Sequence, residues 1–233
     1  MESKIRMVSA IICAYNEEKT IANVILTISE SKLIDEIVVI DDGSTDSTDM
    51  QIWNLSKSIP IKYIHFNKNM GKGYAMAIGA KKATNEILLF IDADHKVKDL
   101  DCIQQILDPF LKEESKSLMV LGYTTIDFMG LSINPMKILT GERALLKSDI
   151  EPIINRMKES RFGVETLLYL YYKSEGKTMK FTHLKNLKHY TKYHKATFLR
   201  ATRNYITEVL EISITAIRNS PLMIKYIRKT MCV

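Results

Sequence analysis

The stretch Ile87-Leu88-Leu89-Phe90-Ile91-Asp92-Ala93-Asp94-His95 constrains this chain more than any other. Five consecutive apolar residues read as a strand buried on both faces. They run straight into two carboxylates one residue apart. Charge at the end of a buried strand is costly unless it is paired or bound to metal. Asp-x-Asp in a near-extended segment supplies hard oxygen ligands of the kind Mg²⁺ and Mn²⁺ prefer, and Mg²⁺ completes its shell with substrate phosphates and water. The expectation is a metal–phosphate site at the end of a central strand.

The flanking sequence repeats the theme. Met7 to Ala14 is an apolar strand that stops at Tyr15-Asn16-Glu17-Glu18, and Ile21, Val24, Ile25 and Ile28 then mark a helix to about Ser31. Glu36 to Asp41 is a second strand, ending in Asp41-Asp42-Gly43-Ser44-Thr45-Asp46, where Ser44, Thr45 and Asp46 are candidate helix caps. Ile61 to Phe66 is a third, followed by the loop Asn67 to Gly73 and a small-residue helix, Tyr74 to Ala83. After the Asp92 strand come a helix from about Asp99 to Lys112 and a fifth strand, Ser117 to Gly122. Strictly alternating strands and helices predict a parallel sheet with right-handed crossovers. Three acidic turns then share the carboxyl edge, where open α/β sheets bind ligands.

Beyond residue 123 the pattern changes. Thr124 to Thr140, with Gly130, Asn134 and Pro135, reads as a mobile loop or lid with a short helix, and Gly141-Glu142-Arg143 precedes a helical stretch. Arg161 to Thr166 opens an apolar helix running from Leu167 to Tyr172, and Lys177 to Thr182 is a strand. From about Ala196 the chain reads as helical and basic. Ile206, Val209, Leu210, Ile214 and Ile217 form its apolar face, Pro221 breaks it, and Arg218, Lys225, Arg228 and Lys229 crowd its end. The expected division is a catalytic domain over 1–195 and basic amphipathic helices over 196–233.

A chain of 233 residues, 46% hydrophobic and 26% charged, suits one α/β domain with an appendage. Its net charge of +6 favours anionic ligands but is too dispersed to indicate nucleic acid. Cys13, Cys102 and Cys232 form neither a disulfide framework nor a metal knuckle, which points to a reducing, cytoplasmic compartment. No signal peptide opens the sequence, and no apolar run reaches the roughly 20 residues of a membrane span.

Taken together, Tyr15-Asn16-Glu17, Asp41-Asp42-Gly43-Ser44, Asp92-Ala93-Asp94 and the Asn69-Met70-Gly71-Lys72-Gly73 loop resemble the family 2 glycosyltransferases of GT-A fold, over residues 7 to about 195. The resemblance implies a Rossmann-like, mostly parallel sheet flanked by helices, with a short helical C-terminal appendage. It implies a nucleoside-diphosphate sugar donor, UDP- or GDP-linked, and a divalent cation, Mg²⁺ or Mn²⁺. By the resemblance, Ala14, Tyr15, Glu17, Asp42, Lys72, Asp92 and Ala93 bind the nucleotide, and Asp94 holds the metal. Tyr15 offers a ring face to the base. Lys72 has the competing reading of a solvated loop lysine. Gly141-Glu142-Arg143 stands where the family has an acceptor-side Gly-x-Arg, which makes Arg143 a candidate clamp for phosphate or carboxylate. Its competing reading is a surface arginine near a helix start. Gly163-Val164-Glu165 matches a Gly-x-Glu element, with Glu165 as the catalytic base or a sugar hydrogen-bond acceptor. Many relatives carry a late histidine that completes the metal shell. His189 fits that position best and His183 is its rival.

The sequence lacks Gln-x-x-Arg-Trp, so transfer of a single sugar is expected instead of polymer synthesis. The acceptor stays open between a small phosphorylated or carboxylated acid, such as 3-phosphoglycerate, and a polyprenyl phosphate. The basic tail suits peripheral contact at the inner face of a membrane, against the competing reading of helices packed on the catalytic domain. A homodimer is also left open. Two alternatives from other classes are an aspartyl-phosphate phosphatase and a non-catalytic nucleotide-binding protein. The first leaves Asp42 and Tyr15 unexplained, and His95-Lys96-Val97 follows the acids where phosphatases carry a small residue and Thr or Val.

Overall fold

The apolar runs of the first half become the centre of one sheet. The computed structural model describes residues 7–96, 100–112, 117–124, 126–128, 131–133, 137–184, 188–189 and 210–231. Strands β1 (Val8–Ala14), β2 (Glu36–Asp41), β3 (Ile61–His65) and β4 (Ile87–Asp92) are parallel. Leaving aside the two-residue strand β5 (His95–Lys96), β6 (Leu118–Tyr123) lies further out, with the antiparallel β9 (Arg143–Leu146) between it and β4. β10 (Thr178–His183) pairs parallel with β6. The order is β10-β6-β9-β4-β1-β2-β3. β1 has β2 on one side and β4 on the other, so the connections reverse direction there and open a crevice at the carboxyl ends.

Helices cover both faces, as uninterrupted apolar strands require. α1 (Ile21–Ser29), α2 (Thr48–Ser56) and α4 (Asp101–Lys112) pack on one face. α3 (Lys72–Lys82), α6 (Ile154–Glu159) and α7 (Val164–Glu175) pack on the other, with the short α5 (Lys147–Ile150) beside them. Ile21, Val24, Ile25 and Ile28 of α1 are all fully buried, as their spacing predicts. The small residues of α3 serve close approach: a Cβ on Gly79 would stand 2.5 Å from Ile11 Cγ2.

Two expectations for the second half are corrected. Arg143 does not lead directly into a helix; a strand intervenes before α5. Arg143–Leu146 is a buried strand wedged between β4 and β6, because Ala144, Leu145 and Leu146 complete the apolar layer on both faces. The presumed lid contains a hairpin of β7 (Ile126–Phe128) and β8 (Leu131–Ile133), then a single 3₁₀ turn, Lys137–Leu139. Asp99, Gly130, Asn134, Pro135, Ala196, Ile206, Val209 and Cys232 fall outside the described residues.

The C-terminal helices, α8 (210–218) and α9 (Ser220–Met231), pack on α7 and on the turn before it. Lys225 Nζ lies 2.7 Å from Glu175 at the end of α7. Arg161, in the turn, pairs with Glu211 of α8 at 2.7 Å. Thr215 lies so close to Gly163 that a Cβ there would meet its hydroxyl at 1.9 Å. Among the described residues no helix is long and apolar enough to cross a membrane.

Candidate functional site

The ends of β1 and β2 are fastened to each other before any ligand is considered. Asp42 N–H donates to Ala14 O, Asn16 N–H to the Ser44 hydroxyl, Thr45 N–H to Asn16 Oδ1 and Glu17 N–H to the Thr48 hydroxyl. Asn16 takes a left-handed φ of 57°, which asparagine tolerates better than most residues and which turns the chain out of β1. Tyr15 consequently stands 45% exposed at the edge, while Ala14 and Ala93 are buried. Glu17, half-buried, accepts a hydrogen bond from the Thr20 hydroxyl.

Asp41 and Asp42 divide the work of the second turn. Asp41 is wholly buried; its Oδ1 accepts from the Ser44 N–H and hydroxyl, and its Oδ2 lies 2.9 Å from His65 Nδ1. Asp42, expected among the nucleotide-binding residues, is only 3% exposed, and its carboxylate is engaged by the loop after β3. It accepts from the N–H groups of Met70 and Gly71, at 2.7 and 2.8 Å, and from the Asn69 side chain. Burial raises its pKa, against those amide bonds. Asp42 therefore shapes the loop from which α3 starts. Gly71, in that loop, has a φ of 94° that a side chain would strain.

Lys72, the first residue of α3, reaches across the crevice. Its ammonium lies 2.8 Å from Asp92 Oδ1 and 2.7 Å from Glu165 Oε1, joining the end of β4 to the first turn of α7. Burial works against its charge, but the two carboxylates outweigh burial and hold it protonated well above an ordinary lysine. The solvated-lysine reading does not describe this side chain. Burial pushes the Glu165 carboxyl above the usual carboxylate range, against the pull of Lys72 and Arg143. α7 is itself held from behind, where the Tyr172 hydroxyl donates to Asp149 at 2.9 Å and Lys177 pairs with the same carboxylate.

Arg143 also differs from expectation. It is fully buried in β9, opposite Phe90 and Leu121, so the competing reading of a surface arginine is corrected. Nη2 donates to Thr140 O, while Nε and Nη1 have no hydrogen-bond partner among the described residues. Burial lowers its pKa, and Glu165, Asp92 and Glu142 act in the opposite direction. It supplies positive charge beneath the site. Gly141, two residues earlier, was missed as a functional position. A Cβ there would stand 1.9 Å from Asp92 Oδ2, so only glycine leaves the carboxylate its place. The signal was the Gly of the Gly-Glu-Arg stretch, but its partner lies far away in sequence.

Asp94, part-exposed, follows on the turn after β4. β11 (Lys188–His189) pairs antiparallel with β5, with His189 opposite His95 in register, which brings the backbone of His189 beside that of the residue after Asp94. His183 instead ends β10, its ring 5.5 Å from that of Tyr123. Among the described residues, Asp41, Asp49 and His65 also have metal-compatible spacing. Their ligand atoms are already engaged, Asp41 as above and Asp49 by the Tyr63 hydroxyl, so this group forms a hydrogen-bonded brace between β2, α2 and β3.

Residues 9–134 match the family described as Glycosyl transferase family 2. Among curated proteins, a 4,4'-diaponeurosporenoate glycosyltransferase of Staphylococcus haemolyticus is 29% identical over 114 residues, 48% of this chain and 30% of that protein. A dolichyl-phosphate beta-glucosyltransferase of Trichomonas vaginalis is 30% identical over 124 residues, 48% of this chain and 38% of that one. The chain thus spans well under half the length of either relative. A solved structure of glucosyl-3-phosphoglycerate synthase from Mycobacterium tuberculosis, in complex with Mn²⁺, UDP and glucosyl-3-phosphoglycerate, aligns with a TM-score of 0.64. The alignment covers 89% of this chain and 80% of that one at 18% identity, a likeness of fold.

Removing one member of a buried ion pair strands the other, at a cost of about 3–5 kcal/mol. Lys72→Met is expected to destabilise the protein on that scale in urea unfolding. Lys72→Met combined with Glu165→Gln recovers a large part of the loss, because the two groups are coupled. Simple additivity of the two single variants contradicts the coupling.

Proposed function

The chain belongs to glycosyl transferase family 2, and from that premise we propose that it is a metal-dependent, inverting transferase. It moves one sugar from a nucleoside-diphosphate sugar, UDP- or GDP-linked, to an anionic acceptor. The observation that carries this reading is the meeting of Lys72, Asp92 and Glu165 at the carboxyl edge of the sheet, two residues from Asp94. A cation, a metal-type acid pair and a candidate base from three separate elements suit the two ends of a glycosyl transfer.

The donor set fits a divalent cation. The hard oxygens of Asp92 and Asp94 are ligands of the right kind, Gly141 leaves Asp92 its space, and the β5–β11 pairing sets the backbone of His189 beside that of His95. Asp94 and His189 would hold the ion, with Asp92 beside them. A bound ion supplies Lewis-acid stabilisation to the departing diphosphate, which then needs no proton. Tyr15 provides a ring face for the base, Glu17 a carboxylate for base or ribose, and Asp42 the fixed loop that presents Lys72 to phosphate or sugar.

On the acceptor side, Glu165 takes the proton of an attacking hydroxyl as the sugar–phosphate bond breaks at the opposite face of the anomeric carbon. A phosphate acceptor arrives already ionised and makes no such demand. The glucosyl-3-phosphoglycerate bound to the solved neighbour supports a small phosphorylated acid, and the dolichyl-phosphate relative supports a lipid phosphate.

A thermal-shift panel of UDP, GDP, CDP and dTDP, each with and without Mn²⁺, tests the donor site. One nucleotide is expected to raise the melting temperature only when the metal is present, and Asp94→Ala to abolish that dependence. A flat response to all four contradicts the proposal.

Glu165 must be deprotonated to act, and burial raises its pKa. With a hydroxyl acceptor, kcat/KM is therefore expected to fall as pH drops through a value above the ordinary glutamate pKa of about 4.3. Glu165→Gln lowers the rate about a hundredfold to ten-thousandfold and removes that acid limb. An acid limb that persists in the variant assigns the base elsewhere.

A further inference from the structure

α8 and α9 turn a narrow strip toward the body and leave a broad apolar face outside. Thr215, Asn219 and Leu222 are buried at successive helical spacings, and Tyr226 continues the strip over Lys173. Leu210, Ile214, Ile217, Ile224 and Ile227 fall on the outward side of the same period and are 45–73% exposed, Ile217 the most. Single exposed aliphatic residues are ordinary, but a contiguous row on two successive helices marks an interaction surface.

The charge around this row identifies its partner. Residues 210–231 carry Arg218, Lys225, Arg228 and Lys229 against one acid, Glu211, which Arg161 already engages. Arg218 and Arg228 are exposed, and Lys225, although paired with Glu175, keeps a side chain 55% open. A second copy of this chain seated here would bring like charges together with no free acid in these helices to answer them. An anionic bilayer answers both features, taking the aliphatic row at its acyl boundary and the cations at its phosphates. The two helices, about 14 and 18 Å long at 1.5 Å per residue, lie along such a surface, and neither is long and apolar enough to cross it.

We propose that the outward face of α8 and α9 docks on an anionic lipid bilayer and lies in its interface. The inference is independent of glycosyl transfer, since it uses no residue of the candidate active site. Its geometry bears on that site all the same. Through Glu211 to Arg161 and Thr215 to Gly163, the docking helices hold the turn from which Glu165 enters α7.

Flotation of the full chain with vesicles tests the proposal. Binding is expected to phosphatidylglycerol-containing vesicles, at least about tenfold weaker to pure phosphatidylcholine, and weakened by added salt. The double variant I217D/I224D is expected to lose about tenfold or more of that binding. Circular dichroism and the melting temperature report whether the variant keeps its fold, and the paired substitution R218E/R228E offers a second route that leaves the apolar row intact. Equal binding to both vesicle types, no binding to either, or wild-type binding by both folded variants overturns the proposal. So does a wild-type dimer in light scattering that I217D/I224D converts to monomer, which would identify a second copy as the occupant.

Discussion

One ammonium group ties this site together. Lys72 is held between a carboxylate from the central strand and one from a helix far along the chain. The arrangement is costly in isolation, because three charges leave most of their water to form it. It persists because each group is delivered by a rigid neighbour. Asp42 fixes the loop that starts α3, Gly141 gives Asp92 its space, and the Tyr172–Asp149–Lys177 cluster braces α7. The same balance suits a site that exchanges charge. A bound diphosphate or cation would meet partners that are already placed, and Lys72 could trade a carboxylate for a phosphate without a large movement.

Beneath this group, Arg143 adds a second cation that no solvent reaches. Two of its nitrogens lack hydrogen-bond partners among the described residues, an expensive condition for a buried guanidinium. The surrounding carboxylates of Asp92, Glu142 and Glu165 make it tolerable. A strand running against the others, β9, carries it there, so the inserted strand matters to the site as well as to the sheet.

Much of the fold was legible because its elements were long or strongly patterned. The uninterrupted runs of β1, β2 and β4 and the period of α1 leave little room for other readings. The acidic turns were legible as a group because three strand ends share an edge. What escaped reading depended on contacts distant in sequence. Arg143–Leu146 is four residues long, too short for periodicity to separate strand from helix, and its arginine is of a type almost never fully buried. Asp42 looked available because an aspartate after a strand usually is, and its inward turn depends on the amides of Met70 and Gly71. Gly141 looks like any loop glycine until Asp92 is placed against it. The approach of His189 to the end of β4 depends on a two-residue strand pair that no local pattern announces.

The central claim is that the metal and diphosphate meet at Asp94, at the end of the strand that dominates the sequence. Anomalous diffraction at the manganese edge, from crystals grown with Mn²⁺ and the stabilising nucleotide diphosphate, tests it most directly. The account predicts one peak within coordination distance of the Asp94 carboxylate and the diphosphate oxygens, with an imidazole from His189 beside it. A peak at Asp41, Asp49 and His65, or nucleotide density with no metal near Asp94, would contradict it.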